Sequence, residues 1–145
     1  MMAYVKILIH AVWGTKNRHP FFTKELRPLI WQHIYENARQ KGMYIDTVNG
    51  HCDHVHCLFY LNADMSLSKH LQLIKGESSL WINKSGLLNT RFEWAEEYFA
   101  ASVSDDKATV VRNYINNQEE HHRIVPFKEE YNRFLKHYGF EEQHD

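Results

Sequence analysis

Apolar residues in this chain change their spacing in a set order, and that order limits the fold more than any other feature. Ala3–Trp13 is rich in Val, Ile and Leu (YVKILIHAVW) and reads as a strand ended by Gly14. A basic loop, TKNRHPFF, follows, and Thr23 reads as the N-cap of a helix. Leu26, Leu29, Ile30, Ile34 and Ala38 then recur at helical spacing up to Lys41, with Gly42 as the stop. Pro28 falls near the first turn, where a missing N–H does least harm. Met43–Val48 and Val55–Leu61 are expected strands joined through a tight Asn49-Gly50 corner. Ser66 caps a second helix bearing Leu67, Leu71, Ile74, Leu80 and Ile82, which Gly76 interrupts and is expected to bend. A fourth strand is expected over Tyr98–Val103. Ser104 caps a third helix, DDKATVVRNYINNQEEHH, whose Asp105 and Asp106 suit its positive end. A last helix is expected around Lys128–Tyr138. The order β-α-β-β-α-β followed by helices predicts an α+β fold of the ferredoxin-like or RRM-like split βαβ type. Its antiparallel sheet has helices packed on it, with an added C-terminal helix carrying Tyr114. Such a frame serves RNA-binding modules and many enzymes, so it assigns no function.

Composition narrows the classes. A chain of 145 residues with 43% hydrophobic and 24% charged residues suits one folded domain. The net charge of -1 argues against holding double-stranded nucleic acid by bulk charge alone. That total hides an asymmetry: residues 1–91 carry 11 Lys/Arg against 6 Asp/Glu, and residues 92–145 carry 6 against 12. The basic front half could bind an anion, or the acidic helices could simply solvate the back half. Two cysteines, Cys52 and Cys57, make a disulfide framework improbable, and the chain reads as cytoplasmic. No signal peptide is evident, and no apolar stretch reaches the ~20 residues of a membrane span.

Histidine is over-represented, with 11 copies, which points to metal binding or titration near neutral pH. The stretch His51–Tyr60 reads HCDHVHCLFY. On a strand His54 and His56 leave the same face with Cα atoms ~6.6 Å apart, while Val55, Cys57 and Phe59 leave the other. Two imidazoles so placed can reach one divalent ion, although a third ligand must come from elsewhere. Other readings stay open: a polar sheet face with no metal, or a zinc site using His51, Cys52, His54, His56 or Cys57. A histidine-triad hydrolase needs a third alternate histidine, and Leu58 stands in its place. On the third helix Tyr114 and Gln118 share a face one turn apart. The amide oxygen of Gln118 suits Mg²⁺ or Mn²⁺, and a phenol can attack phosphorus. By itself, a tyrosine on an amphipathic helix is ordinarily a packing residue.

His-hydrophobe-His on a strand followed by Tyr-x3-Gln on a later helix resembles the HUH-type single-tyrosine transposases, the small enzymes of insertion sequences that move as single-stranded DNA. The segments HAVWGTKNRHPFF, NGHCDHVHCLFYL, LQLIKGESSLWIN, FEWAEEYFAASVS and VVRNYINNQEEHH resemble that family's successive elements across nearly the whole chain. The resemblance implies a single HUH transposase domain over 1–145, with His54, His56 and Gln118 as ligands of Mg²⁺ or Mn²⁺ and Tyr114 as the nucleophile. It implies a 5′-phosphotyrosine intermediate, a free 3′-OH, end hairpins as substrate, and a homodimer in which the tyrosine helix can serve the partner's site. Lys16, Arg18 and His19, with Lys69 and Lys75, are the candidate phosphate contacts, and Trp13 and Trp81 the candidate stacking platforms. His122 shares the face of Gln118, and His121 or His122 could replace Gln118 or support the ligands from behind, yet a frayed, exposed helix end is expected for both. Asp53 could orient an imidazole, but strand alternation turns it to the other face. His10, His33, His70, His137 and His144 have no assigned role. Two other classes remain: a domesticated relative that binds structured single-stranded DNA hairpins without transposing, and a structural zinc or RNA-binding module.

Overall fold

The computed structural model describes residues 3–122 and 124–140. Four strands form one antiparallel sheet: β1 (Leu8–Gly14), β2 (Tyr44–Gly50), β3 (His54–Tyr60) and β4 (Phe99–Val103), in the order β2-β3-β1-β4. Two helices, α1 (Leu26–Gln40) and α2 (Leu67–Ser85), supply the crossovers of the expected β-α-β-β-α-β order. Three more follow: α3 (Ala108–Asn116), α4 (Gln118–His122) and α5 (Phe127–His137). The result is the α+β architecture expected, with helices on both faces of the sheet.

Strand alternation divides the interior. Ile9, Ala11 and Trp13 of β1 and Val55, Cys57 and Phe59 of β3 face α1 and α2, meeting Ile30, Ile34, Leu71 and Ile74 in the main core. The alternate residues of the same strands face the C-terminal helices, where Leu8 and Leu58 pack with Ala108 and Ile115, and Val12 and Phe99 with Phe127 and Tyr131. In register, Gly14 stands opposite His54 and Val12 opposite His56.

Several boundaries differ from the sequence expectation. β1 begins at Leu8 rather than Ala3, because β3 and β4 offer their last partners at Tyr60 and Val103; Tyr4, beyond them, is 93% exposed. Helix α1 starts at Leu26 with no side-chain cap, and Thr23 contributes its carbonyl to the Leu26 and Arg27 amides instead. The corner expected at Asn49-Gly50 lies at residues 51–53, since both of those residues remain paired with β3. Gly50 is required there by close approach: a Cβ on it would lie 2.2 Å from the His54 carbonyl oxygen. Ser66 caps α2 as expected, its hydroxyl accepting from the Lys69 amide at 3.1 Å, but Gly76 does not interrupt that helix. The long third helix is divided. A 3-10 turn (Asp105–Lys107) with no side-chain cap from Ser104 precedes α3, and Asn117 separates α3 from α4. Asn113, Asn116 and Asn117 are weak helix formers, and the Asn117 amide splits its bond between the Asn113 and Tyr114 carbonyls. The last helix is shifted by one residue, to Phe127–His137.

Candidate active site

His54 and His56 project from β3 towards the C-terminal helices, and both are fully buried there. Across from them α3 is fastened to β2. Arg112 holds Asp46 through two bonds of 2.8 Å, and the Asn49 amide donates to the Ile115 carbonyl at 2.9 Å. This anchoring turns Tyr114 inward, its ring centroid 5.7 Å from that of His56. Gln118, one turn on and fully buried, brings its Oε1 to 3.0 Å from His54 Nε2. The break at Asn117 leaves Tyr114 and Gln118 neighbours, since the Gln118 amide still points back to the Tyr114 carbonyl at 3.4 Å. The structure therefore gathers His54, His56, Tyr114 and Gln118 at one place.

Further groups join the cluster. Glu130 of α5 is 2% exposed, and its Oε1 lies 3.1 Å from both His56 Nε2 and His122 Nε2, while Oε2 accepts from the Tyr114 hydroxyl. His122 also stands 2.8 Å from Gln118 Oε1, so it is a member of the site and not a frayed end; His121 Nε2 lies 3.4 Å from the Tyr114 hydroxyl. His10 meets His56 behind the site, Nε2 to Nδ1 at 2.9 Å, its register on β1 placing it on the same sheet face. Asp53 Oδ1 lies 2.9 Å from His54 Nδ1. Alternation does not govern Asp53, because β3 begins only at His54. Glu130 carried a signal in the sequence: it lies on the buried stripe Phe127, Tyr131, Phe134 and Leu135 of α5, where a carboxylate is out of place.

The electrostatics follow from burial. Desolvation lowers His56 to about 4 and His10 to about 3, so both imidazoles are neutral near pH 7. Burial by itself would raise Glu130, but bonds to His122 and His56 hold its carboxyl far below the usual range. Tyr114 is raised above its ordinary value by burial and by the adjacent Glu130 carboxylate. The donors are also directional. Asp53 and the Val125 carbonyl accept at the Nδ1 atoms of His54 and His122, which aims both Nε2 atoms at one point, beside Gln118 Oε1 and Glu130 Oε1. A converging set of imidazole nitrogens and hard oxygens suits a divalent cation. Cys57 is not part of it: it faces the opposite core, where burial pushes its thiol up to about 12.

The remaining candidates are dispersed. Lys16 is exposed and pairs with Glu93 at 2.9 Å, and Arg18 follows it at a φ of 54°. Lys69 is exposed on α2, which packs on the sheet face away from the histidines. Lys75 is withdrawn from solvent, its ammonium donating to the Ala95 and Glu96 carbonyls at 2.7 and 3.2 Å, so it tethers a loop and does not await a phosphate. Trp13 is fully buried and Trp81 is stacked on His33 at 3.9 Å, so neither presents a free face to a base. His19 lies edge-on to Phe21. His33 pairs with Glu77, and His70 bonds Ser66 and Asn62 within the scaffold. His137 packs against Tyr138, and His144 lies outside the described residues. Among the described residues no helix is long and apolar enough to cross a membrane.

Known proteins resemble the chain in sequence and in fold. The family described as "Transposase IS200 like" matches residues 3–118. The chain is 26% identical over 120 residues to the transposase for insertion sequence element IS200 of Salmonella typhimurium, covering 79% of this chain and 78% of that one. It is 22% identical over 116 residues to the ISDra2 transposase TnpA of Deinococcus radiodurans, covering 77% and 83%. Among solved structures, a Deinococcus radiodurans chain shares the fold with a TM-score of 0.64 at 22% identity, covering 81% of this chain and 95% of that one. A REP-associated tyrosine transposase bound to a REP hairpin shares it with a TM-score of 0.62 at 17% identity, covering 86% and 74%.

Proposed function

The chain belongs to the IS200-like transposase family of DNA transposases, and from that premise we propose that it cleaves and rejoins single-stranded DNA at insertion-sequence ends through a phosphotyrosine at Tyr114. The observation that carries this reading is the position of the Tyr114 hydroxyl beside the fully buried pair His54 and His56 and the buried Gln118, brought together from β3, α3 and α4. In cleavage the Tyr114 oxygen forms a bond to phosphorus and the bond from phosphorus to the 3′ oxygen breaks. The phenol loses its proton, and the leaving oxygen gains one to become a free 3′-OH. In rejoining, a 3′-OH attacks the phosphotyrosine and the phenol is restored, so the number of phosphodiester bonds is conserved without ATP.

Tyr114 must be aimed and activated, because burial and Glu130 make its proton harder to remove than that of a free phenol. The chain aims it by clamping α3 to β2 through Arg112 and Asp46. His54, His56 and Gln118 would hold Mg²⁺ or Mn²⁺, an assignment supported by their convergent ligand atoms, with Asp53 and His10 orienting the two imidazoles from behind. Such an ion supplies Lewis-acid polarisation of the scissile phosphate. Lys16, Arg18 and Lys69 are the exposed cations assigned to the DNA backbone. End hairpins as substrate are supported by the hairpin-bound tyrosine transposase of the same fold. A single domain acting as a homodimer completes the reading.

Incubation with Mg²⁺ and single-stranded oligonucleotides carrying the element's end hairpins tests it. A covalent protein–DNA adduct is expected from the wild type and none from Tyr114→Phe, whose ring has no oxygen to bond phosphorus. Cleavage that survives Tyr114→Phe overturns the proposal.

A further inference from the structure

The family match ends at Gln118, yet a carboxylate from beyond it stands among the inward-facing histidines. Glu130 Oε1 lies 3.1 Å from His56 Nε2, 3.1 Å from His122 Nε2 and 3.5 Å from His54 Nε2. One ligand atom from each of these four residues lies within 4.8 Å of every other. Two of these imidazoles are oriented by bonds on their far sides. His122 Nδ1 is 2.5 Å from the Val125 carbonyl oxygen, which only accepts, so Nδ1 donates there and Nε2 is turned inward. Asp53 has the same effect on His54. A carboxylate oxygen and three imidazole nitrogens gathered at one buried point form a donor set that suits a divalent cation. The spacings agree as well: ligands about 2.1 Å from one ion and at right angles stand about 3.0 Å apart.

From these contacts we infer that Glu130 and His122 are themselves ligands of the divalent ion, so that the segment following the family-matched residues completes the metal centre. The inference rests on the metal reading above and extends its ligand set from His54, His56 and Gln118 to five residues. It also changes the character of the site. Two imidazoles and an amide are neutral, whereas a carboxylate adds a negative charge and a hard oxygen, which favour Mn²⁺ and Mg²⁺. Helix α5 is built to deliver that oxygen: Phe127 stacks on the His54 ring at 4.1 Å, and Phe134 packs edge-on against His56 and Tyr114. The second oxygen of Glu130 takes the Tyr114 hydroxyl, which places the nucleophile beside the same group.

Mn²⁺ alone, titrated into the full-length wild-type protein and its variants with the free ion followed by electron paramagnetic resonance, tests this without any activity readout. Glu130→Gln keeps the size and removes the charge; it and His122→Asn are each expected to bind at least ~10-fold more weakly, and His54→Ala to lose binding. Hydrogen exchange on the wild type gives a second measurement that needs no variant to fold: Mn²⁺ is expected to slow the α5 amides together with those of β3. Wild-type affinity in Glu130→Gln alongside loss in His54→Ala overturns the inference and leaves the metal reading standing. Mn²⁺ protection confined to β3 overturns it too. Failure of the wild type to bind Mn²⁺ overturns both.

Discussion

At Gly50 the backbone of β2 passes so close to the start of β3 that a methyl group has nowhere to go. The Cβ of an alanine would stand 2.2 Å from the His54 carbonyl oxygen and 2.9 Å from the Val55 Cα, both of them backbone atoms. Gly50→Ala is therefore expected to cost about 3 kcal/mol, at the upper end of overpacking effects, and to displace His54. A denaturant titration measures the first, and weakened Mn²⁺ binding the second; a stability change below about 1 kcal/mol contradicts the argument. The same residue shows what could be read from the sequence and what could not. An Asn-Gly pair is a common turn signal, and here it belongs to a strand, because close approach and not a turn demands the glycine. His54, His56, Tyr114 and Gln118 were legible because their spacing puts each pair on one face of its element. Asp53 and His10 were not, because their roles come from contacts across the sheet or before the strand, and of Glu130 only its place on the apolar stripe of α5 was legible, not its partners.

Among the elements, α5 has most influence on the site for its length. Its buried residues Phe127, Glu130 and Tyr131 and the half-buried Phe134 and Leu135 lie along one stripe, and all but Glu130 join a cluster with Val12 and Phe99. Phe127 is close to fully buried, stacks on His54, and fills the space beside Gly14. Phe127→Ala is expected to cost about 3 kcal/mol and to raise amide exchange across α5 while leaving α1 and α2 protected. Uniform destabilisation of all helices would show instead that α5 does not open separately. The helical stripe of α5 could be read from periodicity, but its partner could not, since period alone does not say which sheet face a helix covers. The break at Asn117 is similar: asparagines weaken a helix, yet only the packing of Ile115 and Gln118 decides where it divides.

For the whole molecule, the C-terminal helices turn a two-layer split βαβ into three layers, and the Asp46–Arg112 pair ties the added layer to the sheet. Bonds from Arg112, and secondarily from Thr47, hold the Asp46 carboxyl below its ordinary 3.8. An acid depressed in the folded state stabilises fully above its unfolded pKa, and the contribution is lost as pH falls through the folded one. Wild type and Asp46→Asn are therefore expected to differ in thermal midpoint at pH 6 and to converge as pH falls well below the ordinary carboxylate range; a difference that persists at acid pH contradicts the pairing. The charge asymmetry also takes on a different sense in three dimensions. Glu130, one of the 12 acidic residues of the back half, is buried in the candidate site, while Lys75 of the basic half is engaged with backbone carbonyls.

What this sequence determined by itself was local. Period two and period 3.6 gave the order of strands and helices, and same-face spacing singled out two histidines, a tyrosine and a glutamine, because both depend only on the geometry of the chain within one element. The tertiary structure alone decided that the outer sheet face would be covered, that His54 and His56 would lose all contact with water, and that a glutamate from α5 would join them. Those outcomes depend on burial between elements far apart in the chain, and no periodicity within a single element encodes which surface another will cover.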